Sequence, residues 1–261
     1  MLITDLPVHH TLISRIEDKG FTELTEVQEK TILPALLGKD IIASSKTGSG
    51  KTLAFLIPAV HRLLTQKALS RQDPRILILA PTRELAKQVF GEAKWLCQKK
   101  NLATALIVGG DNYNDQTKAL RRNPHIIVGT PGRVADHLED KSFFINGLEM
   151  LIFDEADRML DLGFAQSLNM INRKADHRKR QTMLFSATMD HVELNHVLDS
   201  LLKAPVRVAV GSATAEHTDI SQTLYFAESI EHKDALLCDQ LTNNSYNQAI
   251  VFTATRDDAE R

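Results

Sequence analysis

The chain has 261 residues, 43% hydrophobic and 25% charged, with a formal net charge of −2. This excludes the charge-rich, core-poor composition of a disordered chain and is enough for one large α/β domain plus part of another. It also excludes a global basic field, so any polyanion must be met by local groups.

The opening "MLITDLPVHH" has neither a basic n-region nor a long apolar stretch, and nowhere do about 18 apolar residues run together. The expectation is a soluble cytoplasmic protein without membrane contact. Next, "GFTELTEVQ" (20–28) sets Thr25 and Gln28 at capping-box spacing before a helix. Apolar runs then alternate with helical-period segments. The runs read as strands are "DIIAS" (40–44), "RILILA" (75–80), "TALIVGG" (104–110), "HIIVGT" (125–130), "MLIFDE" (150–155) and "TMLFSAT" (182–188). Helices are expected at Thr52 to Gln66, Arg83 to Lys99, Arg133 to Leu138 and His191 to Leu202. Near-continuous apolar strands joined by helices predict a parallel, doubly wound α/β sheet with helices on both faces. After a possible last strand, Val206 to Val210, a polar stretch reads as a linker over 209–220. Residues 221–261, with "QTLYFAES", a helix near His232 to Leu241 and "QAIVFTAT", restart an α/β pattern too short to bury its own core. Cys97 and Cys238 match no metal or redox spacing, which fits free thiols in a reducing compartment.

Each of the six strands runs into small or polar residues at its carboxyl end, where open α/β sheets bind ligands. In "SKTGSGKT", Ser45, Lys46, Thr47, Gly48, Ser49, Gly50, Lys51 and Thr52 lie between a strand and a helix, as a phosphate-cradling loop does. Lys51 would reach the β and γ phosphates and Thr52 would hold Mg²⁺. Asp154 would hold the same metal, and Glu155 would orient or deprotonate the attacking water. Asp157 is expected to pair with a nearby polar group. The plainer reading of these acids is a helix start favoured by the helix dipole. Basic runs at "KALRR" (118–122) and "RKADHRKR" (173–180) read as solvated helix ends.

Taken together and in order, "SKTGSGKT", "PTRELA", "GG", "TPGR", "DEAD" and "SAT" resemble the DEAD-box family of ATP-dependent RNA helicases over residues 1–208. "DRMLDLGFAQ" and "EHKDALL" are similar to its bacterial members. The resemblance implies a RecA-like ATP-binding domain over 1–208 and the start of a second RecA-like lobe over 221–261. It assigns adenine recognition to Gln28 with support from Thr25. It carries RNA-backbone contacts onto Pro81, Thr82, Arg83, Gly109, Gly110, Thr130, Pro131, Gly132 and Arg133, and nucleotide–RNA coupling onto Ser186, Thr188 and Asp157. Plainer readings stand beside these: helix caps for Thr82, Thr130, Ser186 and Thr188, and tight turns for the glycines.

Three positions depart from the family pattern. Ile3 stands seventeen residues before Gly20, where an aromatic usually stacks on the base. Leu24 replaces a common Pro, and Ser45 a usual Ala. The family's second lobe also supplies arginines to the γ-phosphate, worth about 10³ to 10⁵ in rate, so these residues alone are expected to bind nucleotide and turn it over weakly. The implied function is coupling of ATP and Mg²⁺ binding and hydrolysis to local RNA strand separation, by a monomer whose lobes act in cis. Two other classes stay open: a nucleotide-gated RNA clamp or assembly module without efficient turnover, and a P-loop ATPase acting on a non-nucleic-acid substrate.

Overall fold

The computed structural model describes residues 1–46, 48–70, 73–188, 201–211, 221, 223–243 and 247–260. Contacts divide the chain into two units, Met1–Ala215 and Glu216–Arg261.

The first unit is built on strands β1 (Ile41–Ser45), β2 (Ile76–Leu79), β3 (Thr104–Ile107), β4 (Ile126–Gly129), β5 (Met150–Phe153), β6 (Gln181–Ser186) and β7 (Val206–Val210). They form one parallel sheet in the order β3-β4-β2-β5-β6-β1-β7. The expected strand-and-helix alternation and both-face coverage are what the fold shows. The reason is visible in β2, β4, β5 and β6, where every residue is buried, so both faces need helices. Alternate side chains along a strand enter opposite cores. Ile76, Ile78, Ile152 and Phe185 face one core, while Leu77, Leu79, Leu151 and Phe153 face the other.

Helices α1 (His10–Glu17), α2 (Glu26–Leu36), α3 (Lys51–Thr65) and α4 (Arg83–Cys97) supply the first core. Helices α5 (Tyr113–Leu120), α6 (Pro131–Glu139), α7 (Ala156–Asp161) and α8 (Ala165–Lys174) supply the second. Phe55 of α3 meets Phe185 of β6 with ring centroids 5.2 Å apart, an aromatic pair that fixes α3 over the sheet.

Strand β3 ends at Ile107 rather than running to 110, because Gly110 turns the chain with a φ of 83°. Helix α4 ends at Cys97 and continues to Lys100 as a 3-10 turn. Helix α6 starts at Pro131, two residues earlier than expected, since proline suits a first helical position. The helix expected from His191 falls outside the described residues except for Leu201 and Leu202. At the opposite pole from the strand ends, Arg75 makes a bidentate pair with Glu149, at 2.7 and 2.8 Å, with both side chains buried.

The second unit contains α9 (Ile230–Asn243) and α10 (Arg256–Glu260), neither with a buried residue. The described residues of "QTLYFAES" and of "QAIVFTAT" form no strand, as segments without a pairing partner cannot. Phe226 and Phe252 are 83% and 90% exposed. Among the described residues, no helix is long and apolar enough to cross a membrane.

Candidate functional site

The residues following β1 turn sharply. Gly48 has a φ of 80° and Gly50 a φ of 93°, conformations that side chains resist. Lys51 opens α3 and points its Nζ back to donate to Ser45 O at 3.0 Å, closing a loop around the helix N-terminus. Ser45, the departure from the usual Ala, has a local use. Its Oγ accepts a 2.9 Å hydrogen bond from the hydroxyl of Ser49, bracing the loop across its mouth. Thr47 lies outside the described residues.

Helix α2 reaches this loop. Gln28 Oε1 accepts the N–H of Thr25 at 3.0 Å, and its Nε2 donates to Gly50 O at 3.0 Å. The capping-box reading holds, and the same side chain also reaches the loop after β1. A Cβ at Gly50 would lie 2.5 Å from Gln28 Nε2, so glycine is required there by contact as well as by backbone. The Gln28 amide keeps a second N–H and a second carbonyl lone pair, a donor and acceptor side by side.

Strand β5 delivers the acids to the same place. Asp154 is 4% exposed, and its N–H donates to Leu79 O at 2.9 Å, continuing the ladder past the strand end. Burial pushes its carboxyl up to about 6; Lys51 opposes the rise and Glu155 adds to it. Glu155 sits at the N-cap of α7 with a φ of 55°, a left-handed backbone of the kind found where geometry is over-determined by its surroundings. Asp157 moves the other way. Burial disfavours its charge, but the N–H and hydroxyl of Thr188, the Arg158 N–H and the Ser186 hydroxyl favour it more, and its pKa is lowered. Its Oδ2 accepts from Thr188 N and Oγ1, both at 3.0 Å.

Gln28, Gly48, Gly50, Lys51, Thr52, Asp154 and Glu155 line one cavity of about 380 Å³. Lys51 and Asp154, 103 positions apart in order by subtraction of their numbers, therefore face the same space. Ile3 contributes an apolar wall, and so does Phe21, which the sequence reading passed over. Its position beside Gly20, in the segment leading to the capping box at Thr25, was the available signal.

A second depression, about 420 Å³, is lined by Pro81, Thr82, Arg83, Gly109, Thr130, Gly132 and Arg133. Gly110 lies against Arg83, whose guanidinium a Cβ there would strike. Pro131 is buried at the start of α6 and does not line the depression. The plain cap reading applies to Thr82, whose Oγ1 accepts the Leu85 N–H at 3.2 Å, but not to Thr130, whose side chain makes no cap bond. Glu84, Asp136 and Phe164 also line this surface and were missed. In the basic runs, Lys118 pairs with Asp115 at 3.1 Å, and Arg180 turns inward onto the carbonyls of Ala175 and Leu201.

Among the described residues there is no cluster of three or more His, Cys, Asp or Glu suited to a metal ion. Thr52 and Asp154 alone are too few for an all-protein cage. That donor set suits Mg²⁺ held partly by substrate phosphates.

The family model for DEAD/DEAH box helicases matches residues 25–197, spanning the loop after β1, the second depression and the acids. This chain belongs to that family. It is 41% identical to the ATP-dependent RNA helicase SrmB of Escherichia coli (strain K12), over 97% of this chain and 57% of the relative. It is 35% identical to the ATP-dependent RNA helicase RhlB of Pseudoalteromonas atlantica, over 98% of this chain and 61% of the relative. Among solved structures, a DEAD box protein from the hyperthermophile Methanococcus jannaschii superposes with a TM-score of 0.74 and 32% identity, covering 100% of this chain and 68% of the other. The chain thus spans a little over half the length of these two curated helicases, and its fold is that of the family's RecA-like domain.

Proposed function

We propose that residues 1–208 form the ATP-binding lobe of an ATP-dependent RNA helicase, with 209–220 as linker and 221–261 as the opening of a second RecA-like lobe. The observation that carries this reading is the shared cavity, in which a phosphate loop, a buried strand-end acid and a donor–acceptor amide meet. The exposed Phe226 and Phe252 fit segments that become strands only within a larger lobe.

In this reading Gln28 presents its free N–H and lone pair to the N7 and N6 edge of adenine, the pattern a side-chain amide matches in two bonds. Lys51, released from Ser45 O, and the turned amides around Gly48 and Gly50 hold the phosphates. Thr52 and Asp154 would hold Mg²⁺, which supplies charge neutralisation at the phosphoryl oxygens. Glu155 stands in the same cavity and orients or deprotonates the attacking water. Asp157, Ser186 and Thr188 form the hydrogen-bonded bridge from β5 to β6 through which the state of the nucleotide reaches the RNA surface.

On the second depression, Thr82, Arg83, Thr130, Arg133 and the Gly109–Gly110 amides offer groups that grip phosphate and 2′-hydroxyl without reading bases. The partner is therefore RNA held by its backbone, and a second lobe in cis completes both sites. The cell interior is the expected location and a monomer the expected state.

ATP hydrolysis with and without single-stranded RNA, in a protein carrying both lobes, tests the reading. RNA stimulation is expected. Turnover indifferent to RNA would favour an ATPase acting on something else, and RNA binding gated by ATP without turnover would favour a clamp.

A further inference from the structure

Beside the second depression, α5 and α6 enclose a polar cluster in which only Arg133 has a role above. Its centre is Gln116, only 6% exposed. Gln116 Nε2 donates to Val108 O at 2.8 Å, in the residue just before the Gly109–Gly110 turn. With the amide nitrogen committed to that carbonyl, Oε1 faces His137 Nε2 at 3.2 Å and the Arg133 Nη1 at 3.5 Å.

An amide oxygen can only accept, so His137 carries its proton on Nε2. A second proton on Nδ1 would be stranded, because that atom is buried without a partner. Burial, with Arg133 adding to it, lowers the His137 pKa and keeps the ring neutral. The ring stacks on Tyr113 at 3.9 Å with an interplanar angle of 7°, and the Arg133 guanidinium lies 5.5 Å from the Tyr113 ring centroid. Arg133 Nη1 also donates to Asp111 O at 3.1 Å. One edge of the guanidinium is thereby held by α5 and the turn before it, while the residue lines the depression with Gly109 and Thr130.

We propose that Gln116, backed by His137 and Tyr113, is a positioning residue that aims Arg133 at an RNA phosphate and locks the Gly109–Gly110 turn to α6. The inference rests on the RNA reading given above. Its physical basis is preorganisation: a long, flexible arginine that is already ordered gives up less freedom when phosphate binds. Because Gln116 bonds to Val108 as well, the turn and the arginine shift together and present one rigid surface to the backbone.

The test is a double-substitution cycle on the whole chain, read by titrating a fluorescent single-stranded oligouridylate at several KCl concentrations. Arg133→Ala should weaken binding and flatten the log–log salt dependence by about one phosphate contact. Gln116→Ala should weaken binding about threefold to tenfold when Arg133 is present, the cost of ordering one such side chain, and have little effect in the Arg133→Ala background. ATP affinity of the Gln116→Ala protein should equal that of the parent. Additive effects of the two substitutions would overturn the proposal while leaving Arg133 as an RNA contact. No effect of Arg133→Ala would refute the RNA reading of this surface and the proposal with it. Should Gln116→Ala fail to fold, Tyr113→Ala removes a half-buried ring from the same arginine and carries the same cycle.

Discussion

Replacing Asp154 with Asn should strengthen the fold while weakening the proposed metal site. The carboxyl lies in a nearly closed position, and burial raises its pKa from 3.8 to about 6. At 1.36 kcal/mol per unit, that rise corresponds to a penalty of about 3 kcal/mol on the folded nucleotide-free chain at pH 8. The sign follows from proton counting. Between the two values the folded state holds more of the proton than the unfolded one, so stability from this group falls as pH rises. Below 3.8 both states are protonated and the penalty vanishes; above 6 it is complete.

Asparagine carries no charge to desolvate, and its oxygen can still accept the Glu155 N–H. Urea denaturation without nucleotide or Mg²⁺ should therefore show Asp154→Asn more stable by roughly 2 to 3 kcal/mol at pH 8, with about half that gain at pH 5. If Asp154 holds the metal as proposed, added ATP with Mg²⁺ should raise the stability of this variant less than that of the parent, while Lys51 and the loop amides still meet the phosphates. A gain independent of pH, or a loss at pH 8, would refute the assignment of Asp154 as a desolvated acid awaiting a cation.

Four further outcomes are expected. Lys51→Ala should lower ATP affinity by about tenfold or more, the worth of a charge-assisted contact; unchanged affinity by calorimetry would reject the phosphate loop. Phe21→Ala should weaken ATP roughly tenfold yet leave inorganic tripolyphosphate binding unaltered, since a ring can only hold the base; equal losses for both would place Phe21 outside base binding. In a protein carrying both lobes, Glu155→Gln should keep ATP affinity and slow hydrolysis, and parallel loss of both would remove Glu155 from the chemistry. Glu149→Gln leaves the Arg75 guanidinium buried beside a neutral amide, so the denaturation midpoint should fall by the equivalent of about 3 to 5 kcal/mol with an unchanged slope; a shift under about 1 kcal/mol would mean the pair is hydrated.

The sheet was legible because its central strands are covered on both sides. Leu77, Ile78, Leu151 and Ile152 must all be apolar whichever face they take, so each strand announces itself as a run. The cavity was legible because its parts follow strand ends directly. What the sequence hid is held by long-range side-chain contact. Arg75 and Glu149 form a buried pair across 74 positions, and Gln116 meets His137 across 21. No local periodicity marks such partners, since the choice is made by which helices pack together. Phe21 was passed over because it belongs to no apolar run; it is 46% exposed and enters the site only as part of the cavity wall.

The three acids of "DEAD" carry like charges within four residues, and their surroundings give them different work. Asp157 is wrapped by donors from Thr188, Ser186 and Arg158, which hold it ionised and make it a joint between β5 and β6. Asp154 is buried, and Lys51 only partly offsets the cost of its charge, so its carboxyl is pushed up to about 6. Environments that push neighbouring carboxyls in opposite directions divide structural from reactive roles. The same division explains why one strand can run into three carboxylates without being expelled from the core: one is satisfied internally, one is pushed up to about 6 by burial beside Lys51, and Glu155 stands at the cavity wall.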